Sequence, residues 1–73
     1  MNSTAKSIFG MLARAALGIE RPLQVCRSAA GYYIGTLDEG GLPESRESWE
    51  YFGTRRDAER ALDSGAWTQR SSP

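Results

Sequence analysis

Histidine is absent from the chain, and cysteine occurs once, at Cys26. Without histidine there is no Ser-His-Asp triad, and one cysteine makes neither a zinc-finger ligand set nor a disulfide within the chain. Long apolar runs are missing too. The stretch beginning at Ile8 is interrupted by Gly10 and Arg14, so it neither spans a membrane nor leads to a signal-peptide cleavage site. No membrane partner is expected, and a lone thiol suits a reducing cytoplasm. Net charge is zero, which argues against a protein that coats nucleic acid. The 73 residues leave room for one domain. Hydrophobic residues make up 40% and charged ones 25%, ordinary globular usage that excludes a disordered tail or a collagen-like repeat.

The zero net charge is a sum of unlike parts. From Met1 to Thr36, Lys6, Arg14, Arg21 and Arg27 outnumber Glu20. From Leu37 to Thr54, Arg46 stands against Asp38, Glu39, Glu44, Glu47 and Glu50. The remainder is slightly basic again. An acidic stretch between basic ends reads first as a solvated loop that keeps the domain soluble. Its sharper reading is an acidic surface that meets a basic partner.

Hydrophobic periodicity predicts a helix over 3–18, with Ser3 or Thr4 placed to cap it and Gly18 to end it. Ile8, Met11, Leu12 and Ala15 form its stripe. Leu23 to Ser28 alternates as a strand does, and Tyr32 to Leu37 is rich in aromatic and β-branched residues. Strands are therefore expected over 23–28 and 32–37, joined as a hairpin. The acidic, glycine-containing stretch after Leu37 reads as a long loop. A third strand is expected over 48–52. Thr54, followed three residues later by Asp57, marks the start of a helix over 55–64, and Gly65 marks its end. Arg56 with Glu59 and Asp57 with Arg60 stand at pairing distance along it. Trp67 is placed to fold back over the helix end, and 70–73 reads as a tail.

The expected fold class is α+β, a three-stranded antiparallel sheet in the order α-β-β-β-α with the C-terminal helix on one face. Ile34, Trp49, Tyr51 and Leu62 are assigned to the covered face. Tyr33, Leu37 and Phe52 are assigned to the other, which then needs the N-terminal helix, a second copy of the chain, or a partner to cover it.

Little chemistry accompanies this arrangement. Cys26 lacks a histidine to activate it and sits within a strand, where a small half-buried filler is the plain reading. The carboxylate pairs Asp38-Glu39 and Glu44 with Glu47 fall on an exposed loop, where nothing raises a pKa for acid–base work. Gly40-Gly41 lacks the lysine and the helix start of a phosphate cradle. The loop carboxylates lack the ligand alternation of a calcium loop. No enzyme activity, metal, cofactor or small-molecule substrate is expected.

Two resemblances add to this reading. Phe52-Gly53-Thr54 followed by Arg55 to Leu62 resembles the last strand and helix of the plant ethylene-response-type DNA-binding domain. That similarity covers under a quarter of the chain, and the arginine- and tryptophan-rich first strands of that family are missing. It implies sheet-mediated DNA or RNA binding through Arg27, Arg46, Arg55 and Arg56, against which the acidic loop would repel phosphate. Tyr33-Ile34-Gly35-Thr36, Ser45-Arg46-Glu47-Ser48, Glu50-Tyr51-Phe52 and Trp67-Thr68-Gln69-Arg70 resemble small uncharacterised proteins of proteobacteria and their plasmids, phages and integrated elements. This similarity runs from Tyr33 to Arg70. It implies a bacterial cytoplasmic accessory protein, of a kind that often binds and inhibits or regulates a larger protein, the anti-CRISPR class included.

The sequence thus points to a non-catalytic protein-interaction module that binds a protein partner or itself as a homodimer, with nucleic-acid binding as the alternative. Interface candidates are Tyr33, Leu37, Phe52, Ile8 and Leu12, together with the acidic loop Asp38, Glu39, Glu44 and Glu47.

Overall fold

The computed structural model describes residues 9–72. Helix α1 spans Met11–Leu17, followed by strands β1 (Gln24–Ser28), β2 (Gly31–Leu37) and β3 (Pro43–Arg46), and helix α2 (Arg55–Ser64). The three strands form one antiparallel sheet in the order β1-β2-β3. The α+β architecture and the order α-β-β-β-α are those expected from the sequence.

α2 follows its local signals closely. The Thr54 hydroxyl accepts the backbone N–H of Asp57 at 3.0 Å, satisfying a donor at the helix start. Gly65 ends the helix in the left-handed region, φ 79°, and returns its N–H to the Ala61 carbonyl. The side-chain pairs expected along α2 do not close into ion pairs among the described residues. The helix lies on β1 and β2, with Ala58 and Ala61 buried beneath it. Leu23, Ile34 and Ala61 form the apolar centre, and Phe52, Leu62 and Trp67 pack around it. Small side chains bring the helix close, and the larger groups around them exclude water.

Three expectations about segments change. The third strand is Pro43–Arg46, not 48–52. Asp38 closes the preceding loop: its Oδ1 accepts the N–H groups of Gly40 and Leu42, each at 2.9 Å, and its own N–H donates to the Leu42 carbonyl. The chain turns back at once, and Pro43 takes the start of an edge strand, where no ladder donor is needed. Within 48–52, Ser48 and Phe52 instead make single bridges, to Gln69 and Tyr32. The N-terminal helix begins at Met11, because Phe9 bridges Pro22 and Gly10 is extended, with its N–H on the Arg21 carbonyl. The first part of the helix predicted over 3–18, Ile8 included, lies outside the described residues. Arg70, assigned to the tail, is half-buried, and its N–H donates to the Glu47 carbonyl at 2.7 Å.

The two faces of the sheet are also divided differently. Phe52 belongs with Ile34 around the apolar centre. On the reverse face Tyr33 pairs with Cys26 across β1 and β2. Its ring lies over Gly35, where a Cβ would approach Cε2 to 2.8 Å. The Tyr51 ring meets Tyr33 edge-on, with centroids 6.0 Å apart. Tyr33 is left 5% exposed. The segment after β3 therefore closes this face through Tyr51, whereas α1 packs against β3.

Candidate interaction surface

α1 is short, and its N-cap residue, Gly10, has no side chain to cap it. An isolated helix of this length would not persist in water. Its anchor is Glu47, which is 0% exposed. Glu47 Oε1 accepts the Leu12 N–H at 2.9 Å, and Oε2 accepts the Ala13 N–H at 3.1 Å. The Ser45 hydroxyl donates to Oε2 at 2.6 Å, and the Gln69 amide donates to Oε1 at 2.8 Å. The carboxylate thus supplies from outside the cap that Gly10 cannot. Burial pushes the Glu47 carboxyl upward, but hydrogen bonds from Leu12, Ser45, Gln69 and Ala13 outweigh it and hold it below the usual range. Gly10 allows the close approach: a Cβ there would lie 2.5 Å from Thr36 Cγ2 and 2.7 Å from Glu47 Oε2.

Beside this anchor is a cavity of about 270 Å³. Leu12, Ala13, Ala16 and Leu17 of α1 form one wall, and Glu44, Ser45, Arg46 and Arg70 form the other. Glu44 is already neutralised, since its Oε1 accepts from Arg21 Nε at 2.7 Å. The hydrogen bond to Glu44 leads the influences that raise the Arg21 pKa.

Arg46 and Arg70 continue from the cavity onto an aromatic surface. The Arg46 guanidinium carbon is 4.7 Å from the Tyr51 ring centroid, and that of Arg70 is 5.3 Å from the Trp49 ring. Arg46 Nη1 donates to the Ser48 and Trp49 carbonyls. Arg70 Nη1 donates to the Arg46 carbonyl at 3.1 Å. Trp49 is 55% exposed and Tyr51 44%. Among the described residues neither arginine forms an ion pair, and Arg70 Nε is buried without a hydrogen-bond partner. A second cluster lies around Tyr32, whose ring has the Arg27 and Arg55 guanidinium carbons at 5.6 and 5.4 Å.

These placements rearrange the expected interface. Tyr33 and Leu12 are buried, and Phe52 packs on the apolar centre, so none of the three offers a free anchor. Leu37 is half-buried at the end of β2. The acidic loop is not one acidic surface: Asp38 shapes the turn, Glu44 binds Arg21 and Glu47 is internal, leaving Glu39 exposed. Of the arginines considered for nucleic acid, Arg27 and Arg55 converge on Tyr32, Arg46 lies at the cavity, and Arg56 is exposed on α2. Arg70 is the part of this surface that sequence reasoning missed, while Trp49 and Tyr51, anchor candidates by residue type, were assigned to the covered face of the sheet. Their types were visible as an interface signature, but the placement of the third strand hid their exposure.

Cys26 is buried against Tyr33. Burial is the main influence raising both the thiol and the phenol pKa. Among the described residues no group of three or more His, Cys, Asp or Glu side chains is arranged to hold a metal ion, and no helix is long and apolar enough to cross a membrane. The chain matches no protein-family model, and no curated protein or solved structure matches it.

Proposed function

We propose that this chain is a non-catalytic protein-binding module whose contact surface centres on Trp49 and Tyr51. The carrying observation is the adjacency of two exposed aromatic rings to two arginines that have no carboxylate partner among the described residues. Tryptophan, tyrosine and arginine carry a disproportionate share of binding energy at protein interfaces. The resemblance to small proteins of bacterial mobile elements suits a cytoplasmic regulator or inhibitor of a larger protein. The test is affinity capture from the source cells with wild type and Trp49→Ala in parallel, each checked by circular dichroism. Proteins held by wild type and lost by the folded variant support the reading. Identical captured sets, or nothing held by wild type, overturn it. Sedimentation of the purified chain distinguishes a separate partner from a second copy.

The flanking of Tyr32 by Arg27 and Arg55 favours a second reading, contact with single-stranded nucleic acid through stacking and charge. A mobility shift that weakens steeply with salt would support it, and no shift at low ionic strength would end it.

A further inference from the structure

The cavity between α1 and β3 has an apolar wall, a cationic rim and a size suited to one side chain. At about 270 Å³ it falls below the roughly 300–1,000 Å³ of pockets that enclose drug-sized ligands. We propose that it docks an extended acidic segment of a partner protein, which places one bulky apolar side chain against Ala16 and Leu17 and a neighbouring carboxylate on Arg46 and Arg70. The proposal rests on the reading of the chain as a protein-binding module and names the chemistry of the partner.

Charge selects the occupant. The acid on the rim, Glu44, is taken by Arg21, so the charge presented to an incoming group is that of Arg46 and Arg70. Both arginines line the cavity, so a carboxylate seated there is attracted to each. Arg70 also retains a donor without an acceptor at Nε, an uncommon condition for a buried polar group. Both guanidinium planes are held by aromatic rings and backbone carbonyls. Less side-chain freedom is then lost when they grip a planar carboxylate. The apolar wall separates this occupant from nucleic acid, which brings phosphate to arginine but no aliphatic anchor for Leu17.

The test is selection of a random heptapeptide display library on the immobilised full-length protein, followed by fluorescence anisotropy with the enriched peptides. Enrichment of sequences with an apolar residue within two positions of aspartate or glutamate is expected. Arg70→Gln should weaken such a peptide at least tenfold, with partial recovery in Arg70→Lys. Ala16→Phe, which fills the cavity from an exposed helix position, should weaken it similarly with the circular dichroism spectrum retained. Enriched peptides without acids, binding indifferent to both variants, or no enrichment would overturn the cleft assignment. So would a dimer abolished by Ala16→Phe, since a second copy would then occupy the site. Failure here with Trp49-dependent capture intact rejects the cleft alone. Failure of both rejects the binding module itself.

Discussion

The carboxylate of Glu47 accepts the backbone N–H of Leu12 across 2.9 Å, although the two residues stand 35 positions apart in the chain. That bond, with its neighbour to Ala13, fixes α1 beside β3 and so forms one wall of the cavity. Glu47→Ala removes the acceptor and leaves buried donors unsatisfied, a loss of about 2–4 kcal/mol. Urea denaturation of the variant measures it, and an unchanged midpoint would show that α1 is held by packing alone.

The same group sets a pH dependence. Its folded pKa is depressed, so the unfolded chain binds a proton more readily than the folded one. Its contribution is fully present above the ordinary glutamate value, about 4.3, and is lost as pH falls through the folded value. Stability measured from pH 7 to pH 2 should decline below about pH 4.3 in wild type, with a weaker decline in Glu47→Gln. Parallel curves would assign the acid sensitivity to other carboxylates.

Tyr33 and Trp49 should respond oppositely to truncation. Tyr33 is buried under Tyr51, and Tyr33→Ala should cost about 3–5 kcal/mol, as for other large core aromatics. Trp49 is mostly exposed and touches Arg70, so Trp49→Ala should cost only about 0.5–1 kcal/mol. Thermal or urea unfolding of both variants checks the pair, and comparable losses would mean that Trp49 is a core residue.

Gly10→Ala tests the approach of α1 to the sheet. The added methyl meets Thr36 and the Glu47 carboxylate well inside contact distance. A loss of about 1–3 kcal/mol is expected from such overpacking, read by denaturant midpoint. A neutral result would mean that the helix start shifts without consequence.

Cys26 should be slow to react. It is buried, and its thiol is raised chiefly by burial, so little nucleophilic thiolate is present at neutral pH. Alkylation by iodoacetamide should be far slower in the native protein than in urea. Equal rates would place the thiol at the surface.

The parts legible in the sequence are those written locally. Thr54 and Gly65 bracket α2 because capping depends on residues a few positions apart. The β1–β2 hairpin is legible from its alternation and short turn. β3 escaped because its cohesion is polar: the Thr36 and Ser45 hydroxyls pair at 2.6 Å, and Glu44 binds Arg21. Trp49 and Tyr51 suggested a buried strand by residue type alone, while the burial that matters belongs to Glu47. Nothing near Glu47 in sequence announces that amides from α1 and an amide from Gln69 will solvate it. The surface at Arg46 and Arg70 was hidden for the same reason, since it forms only when the C-terminal stretch returns to β3.

A single internal carboxylate that joins an early helix and a late glutamine to the end of the third strand makes one fastener for remote lengths of chain. Protonating or removing that one group should therefore weaken all of these contacts at once.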